Sequence, residues 1–337
     1  MSLLQKTLSF DDVLLIPQMS DIKSRKEVDL TSPMGNKHFK LPIISSPMDT
    51  VTGPEMCKTM TAHGGLGILH RYNTIEEQVA MLRQVESKTT GAAIGVTGDF
   101  LERAEALVEN GAFLLCVDVA HGHHISVKEA VESIKNKFGD NIVLMAGNVA
   151  TAEAFSDLED WGTDVIRVGV GGGSICSTRI QTGHGIPTLH SVILSAGVAR
   201  KSLIVADGGI KTAGDAVKCF AAGADFVMLG SLLAGTKESP GQVFQSNDGK
   251  EYKVYRGMAS AEAQIDWKGT ANSLEGVSTT IPYKGSVEKV LSMLSQNIRS
   301  GLSYSGARNL KEFRNKASMT RQTLAGMKES FTHILTR

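Results

Sequence analysis

Asp164-Val-Ile-Arg-Val-Gly-Val-Gly-Gly-Gly-Ser-Ile-Cys-Ser-Thr178 is an apolar run that passes into consecutive glycines and then a cysteine. Such a run, bounded by glycine, reads as a buried strand, and the glycines as a tight loop at its carboxyl end that presents the Cys176 thiol. That is where a nucleophile would sit. A small core cysteine beside turn glycines would give similar letters. A core cysteine, however, falls more naturally inside the apolar run than after four residues of Gly and Ser.

Runs of the same kind recur along the chain at 41–45, 65–69, 92–96, 113–117, 142–146, 165–169, 203–206 and 226–229. Between them lie stretches with helical period at 100–110, 125–138, 152–161 and 213–222, several of which end at a glycine shortly before the next run. Strand and helix repeated in this way predict an α/β protein, a parallel (β/α)8 TIM barrel in one domain over residues 1–337. A doubly wound open sheet is the alternative. Residues 259–285, where polar residues, Gly and Thr break every period, are expected to form a mobile flap above the barrel, and 309–337 a C-terminal tail.

Lys+Arg and Asp+Glu balance at 35 each, so no global field draws the chain to nucleic acid or an anionic membrane, and a small molecule is the expected partner. The N-terminal stretch breaks its apolar residues too early for a signal peptide, and no segment approaches the ~20 apolar residues of a spanning helix, so a cytoplasmic enzyme is expected. Cys57, Cys116, Cys176 and Cys219 are widely spaced with no C-x-x-C pair, against a disulfide framework or a zinc site. His121-Gly-His-His124 lacks neighbouring ligands, and Gly65-Leu-Gly67 and Gly169-Val-Gly171 are only fragments of a dinucleotide fingerprint.

In a barrel the strand carboxyl ends share one face, so Asp118, Asn148, Cys176, Asp207-Gly208-Gly209 and Gly230-Ser231 are expected to converge there. The glycine turns after the seventh and eighth strands occupy the usual phosphate position of such barrels, although plain turn glycines would look the same. Asp207, itself an anion, suits the hydroxyl pair of a ribose. Phosphate with ribose indicates a nucleotide, and the cysteine indicates covalent attack on an electrophilic carbon of the base.

The ordered motifs Ser9-Phe-Asp-Asp-Val-Leu-Leu15, Ser46-Pro-Met-Asp-Thr-Val51, Val117-Asp-Val-Ala-His-Gly122, Ala146-Gly-Asn-Val-Ala-Thr151, Gly171-Gly-Gly-Ser-Ile-Cys-Ser-Thr178, Ala206-Asp-Gly-Gly-Ile210, Met228-Leu-Gly-Ser231 and Tyr255-Arg-Gly-Met258 resemble those of the IMP dehydrogenase and GMP reductase family. The resemblance runs from Ser9 to Arg308. It implies a barrel, usually homotetrameric, in which Cys176 forms a thioimidate-type adduct with C2 of a purine nucleoside monophosphate. Ser174, Asp207, Gly208, Gly209, Gly230, Ser231 and Tyr255 would hold the ribose phosphate, and Met48, Gly257 and Met258 the base. Asp118, Asn148 and Gly169 would face the nicotinamide cofactor. Gly171, Gly173 and Cys176 would supply carbonyls to a monovalent cation, potassium.

The family's two reactions share the adduct. The dehydrogenase oxidises IMP with NAD and hydrolyses the adduct to XMP, whereas the reductase expels ammonia from GMP and reduces the adduct with NADPH. Three departures point to the reductase. The chain passes from Val85-Glu-Ser-Lys88 directly to Gly91, with no regulatory insert. No arginine lies between Arg256 and Arg299, where the dehydrogenase flap carries the one that activates water. After the cysteine, Thr178-Arg-Ile-Gln-Thr-Gly183 is nearer the reductase pattern, and Thr178 with Glu275 matches the pair that handles the proton of departing ammonia. Glu275 would otherwise be a solvated loop carboxylate. Residues 318–330 resemble the dehydrogenase tail instead, Gln181 stands where reductases have lysine, and Gly172 where proline is common. A dehydrogenase without its regulatory domain and a silent nucleotide-binding barrel are the alternatives.

Overall fold

Strand β1 (Ile43–Ser45) pairs in parallel with β2 (Leu66–Leu69) on one side and with β8 (Phe226–Leu229) on the other, and that second pairing closes a barrel. The remaining staves are β3 (Gly91–Ile94), β4 (Leu114–Asp118), β5 (Val143–Val149), β6 (Val165–Val168) and β7 (Leu203–Asp207). This computed structural model describes residues 4, 6–272 and 274–332. All eight expected runs are barrel strands. The closed circuit of strands decides for the barrel over the open sheet.

Helices follow each strand: α1 (Pro54–Ala62), α2 (Ile75–Val85), α3 (Phe100–Glu109), α4 (Ile125–Phe138), α5 (Ala152–Asp160), α6 (Thr188–Ala196), α7 (Ala213–Ala222) and α8 (Val287–Ser303). Their ends are set by side chains: Thr74 with Glu77 and Thr212 with Asp215 form capping boxes at the starts of α2 and α7. None of the helices, among the described residues, is long and apolar enough to cross a membrane. Residues 86–90 alone separate α2 from β3.

The strands read as unbroken apolar runs because both faces are buried. Leu114 and Cys116 point into the barrel with Leu66, Ile68, Met145 and Val205, whereas Leu115 and Val117 face the helices. A hairpin of Ser32–Met34 and Lys37–Phe39 adds Met34 and Phe39 to the inner core.

Residues 259–285 are more regular than their composition suggests. They hold a helix, Ala261–Lys268, and an edge strand, Ser278–Pro282, antiparallel to Glu251–Arg256. The strand escapes pattern recognition because Thr279, Thr280 and Pro282 are exposed, so no apolar alternation marks it. In the tail, Met319–Arg321 pairs with Val13–Leu15, tying the two ends of the chain together; residues 333–337 lie outside the described residues.

Candidate active site

Period-two alternation aims Asp118, Arg167 and Asp207 inward at the carboxyl ends of β4, β6 and β7. Arg167, 8% exposed at its side chain, bridges both acids: one guanidinium nitrogen bonds Asp118 Oδ1, while Nε and Nη2 donate to Asp207 Oδ2 at 3.2 and 2.8 Å. Burial opposes the Arg167 charge, yet the two carboxylates raise its pKa well above the ordinary arginine value. Asn148 adds a 2.8 Å bond to the same Asp207 oxygen and another of 2.8 Å to Gly169 O. Asp207 Oδ2 is therefore occupied, and Oδ1 has no hydrogen-bond partner among the described residues.

Glycine is required where this network is tightest. A Cβ on Gly147 would meet Arg167 Cβ at 2.6 Å, and one on Gly169, whose φ is +144°, would lie 1.9 Å from Asp207 O.

After β6 the glycine loop carries Cys176 over the barrel mouth. Its thiol donates to Thr178 Oγ1 at 3.2 Å, and Thr178 Oγ1 donates to Glu275 Oε2 at 2.7 Å. Thr178 and Glu275 are 97 positions apart, and backbone pairing brings them together. Ser177 N–H donates to Glu275 O at 2.8 Å, and Val277 N–H to Ile175 O at 3.0 Å. The flap is also docked through side chains. Arg256 bonds Asp49 at 2.6 Å and Asp266 at 2.5 Å, and Trp267 stacks on Tyr72 with ring centroids 5.8 Å apart.

These elements enclose a cavity of about 420 Å³, and every site residue expected from the sequence lines it. At one end are Gly208, Gly209, Gly230 and Ser231, next to Ser174 and Tyr255. Burial pushes the Tyr255 phenol up, and its hydrogen bond with Ser174 partly offsets that. Met48, Gly257 and Met258 form the wall near Cys176; Asp49 N–H donates to Met258 Sδ at 3.4 Å. Asp118, Asn148 and Gly169 line the same cavity, Asn148 and Gly169 directly beside Asp207. Gly171 and Gly173 belong to the cysteine loop, and Gly173 O receives Cys176 N–H at 3.1 Å.

Two cavity residues are not singled out by motif reading. Arg167 could have been noticed as a charge inside an apolar strand, where it is costly unless paired. Arg71 has no such signature. It donates to Asp118 O at 3.2 Å, its guanidinium lies 5.4 Å from the Tyr72 ring centroid, and its buried Nε has no partner among the described residues.

A model of the IMP dehydrogenase / GMP reductase domain matches residues 7–333. The chain belongs to that family. Its members are oxidoreductases acting on purine nucleotides. The chain is 34% identical to an inosine-5'-monophosphate dehydrogenase of Nitrosopumilus maritimus, over 97% of this chain and 98% of the relative. It is 33% identical to a GMP reductase of Leishmania major, over 99% and 98%. These alignments run over 467 and 483 residues against 337 here, so both relatives carry stretches that this chain lacks. A solved GMP reductase from Trypanosoma brucei, a cysteine-to-alanine variant in complex with guanosine 5'-monophosphate, superposes with a TM-score of 0.93 at 30% identity, covering 98% of each chain. Identities this close do not separate reductase from dehydrogenase.

The four cysteines differ in access: Cys57, Cys116 and Cys219 are buried, whereas Cys176 is partly exposed in the cavity. Burial pushes the other thiols up, Cys116 to about 12. Titration with a small disulfide reagent is therefore expected to modify one thiol in the native protein and four after denaturation. A purine nucleoside monophosphate should protect that one thiol, and rapid modification of a second would contradict the assignment.

Proposed function

We propose that this protein is a GMP reductase, converting GMP to IMP and ammonia with NADPH as reductant. The observation that carries the reading is the directed chain from Cys176 Sγ through Thr178 Oγ1 to Glu275 Oε2. Its donors point from thiol to carboxylate, the sense in which a proton must travel for the thiol to become a nucleophile.

The Cys176 thiolate adds to C2 of GMP while its proton passes through Thr178 to Glu275. The C2–N bond then breaks, and Glu275 returns a proton through Thr178 so that the amine leaves as ammonia. Asp207 Oδ1 holds the ribose, and Met48 and Met258 pack on the base. Departure of the Cys176 sulfur from C2 at the end of the reaction releases IMP.

The nicotinamide dinucleotide is placed on the Asp118 side of the cavity, where the unpartnered Nε of Arg71 offers a donor. Bound there, NADPH supplies the hydride that ends on C2. The carbonyls of Gly171, Gly173 and Cys176 are the proposed potassium ligands, and the proposed assembly is a cytoplasmic homotetramer.

The flap argues against hydrolysis. No arginine lies between Arg256 and Arg299, and Arg256 is engaged by Asp49 and Asp266, so the flap brings no free guanidinium of its own to activate water. A compact IMP dehydrogenase is the second reading, favoured by residues 318–330 and by the 34% identity to a dehydrogenase.

The test follows reduced-nicotinamide absorbance in two mixtures, GMP with NADPH and IMP with NAD. Loss of signal in the first alone is expected; gain in the second alone would replace the reductase with the dehydrogenase. Glu275→Gln is expected to lower turnover by ~10²–10³ while leaving GMP affinity within about twofold, since it removes a proton carrier and not a binding group. Unchanged turnover in that variant would remove Glu275 from the mechanism.

A further inference from the structure

The turn after β8 is gripped from behind by two lysines. Leu233 and Ala234 N–H both donate to Gly230 O, at 3.0 and 2.9 Å, winding residues 230–236 into a short helical turn. The first N–H groups of this turn, those of Ser231 and Leu232, have no protein acceptor among the described residues, and Gly230 and Ser231 line the cavity. Its carbonyls face the other way. Lys284 Nζ donates to Ser231 O at 2.5 Å and to Leu232 O at 3.3 Å. Lys253 Nζ, on a residue only 2% exposed, donates to Thr236 O at 3.0 Å and Ser239 O at 2.5 Å.

A buried ammonium held only by carbonyls is costly and uncommon. Among the described residues Lys253 makes no ion pair, and burial lowers its pKa, with Glu238 the carboxylate that counters the effect. The arrangement is also fixed through the backbone. Lys284 N–H donates to Gly235 O and Lys237 N–H to Gly285 O, each at 2.8 Å. Lys253 and Lys284 belong to the two segments that enter and leave the flap, the strand Glu251–Arg256 and the residues after Ser278–Pro282.

We propose that Lys284 is a positioning residue for the nucleotide's phosphate: it holds the Ser231 and Leu232 carbonyls, which leaves the Ser231 and Leu232 N–H groups for the phosphate, while Lys253 anchors the far end of the turn at Thr236 and Ser239. The role rests on the phosphate reading of this turn given above. The Lys284 ammonium polarises the peptide that carries the Leu232 N–H and adds positive potential close to the phosphate, where a dianion gains more than a neutral group. The pair also couples phosphate binding to the flap, because the same lysines lie at the flap's two roots.

The experiment compares equilibrium binding of GMP and guanosine, without cofactor, to wild type, Lys284→Met, Lys284→Arg and Lys253→Met. Lys284 is solvent-exposed, so its variants should fold even if Lys253→Met does not. Lys284→Met is expected to weaken GMP about tenfold and guanosine hardly at all, with Lys284→Arg restoring most of the difference. A purely structural role would weaken both ligands alike, and that result, or an unchanged preference for GMP, overturns the inference. Should wild type itself bind guanosine as tightly as GMP, the phosphate reading fails first and the lysines' role with it.

Discussion

Cys176→Ser is expected to lower turnover by ~10⁴-fold or more while GMP still binds. The hydroxyl keeps the hydrogen bond to Thr178 but is far less acidic than a thiol, so the chain from Cys176 to Glu275 would no longer yield a nucleophile at neutral pH. No second nucleophile stands ready. Cys57, Cys116 and Cys219 are buried outside the cavity lining, and burial raises their thiols further. The assay is single-turnover release of ammonia with intact-protein mass spectrometry. Wild type should gain a nucleotide mass and the serine variant none. Substantial turnover by the serine protein would sink covalent catalysis and leave a binding pocket without its chemistry.

Arg167→Met should be the most damaging change that touches no part of the cysteine loop. It removes the cation between Asp118 and Asp207 inside the barrel mouth and leaves two carboxylates there. Loss of one partner from a buried ionic network costs about 3–5 kcal/mol, seen as a lower denaturant midpoint. Asp118→Asn in the same chain should restore part of the loss at neutral pH. A double variant no more stable than Arg167→Met alone would mean that Arg167 acts through packing.

The two substitutions also separate what motif spacing reveals from what it hides. Cys176 announces itself in Gly171-Gly-Gly-Ser-Ile-Cys176, because a loop that must cross a barrel mouth needs glycines and leaves few choices of residue. Arg167 lies in plain view in Val165-Ile-Arg-Val168, yet its purpose depends on direction. Only the barrel's closure shows that it shares an inward face with Asp118 and Asp207. The flap helix Ala261–Lys268 is hidden for a related reason. Its anchors are Asp49, by way of Arg256, and Tyr72, roughly two hundred positions earlier, and its own sequence has little amphipathic pattern.

Local sequence by itself determined the staves and several helices of this protein. Eight runs buried on both faces are apolar along most of their length, and helices packed on them must repeat near every 3.6 residues, so both patterns survive in one dimension. The motif residues carried family and ligand class as well, since most stand at or just beyond the carboxyl end of a strand. Tertiary structure alone decided the hydrogen-bond order from Cys176 through Thr178 to Glu275, the Arg167 bridge and the lysine grip on the 230–239 turn. Each joins groups from separate segments through a few polar contacts. Such contacts impose no periodicity on the chain, and their partners are fixed only once the barrel closes and the flap pairs with the cysteine loop.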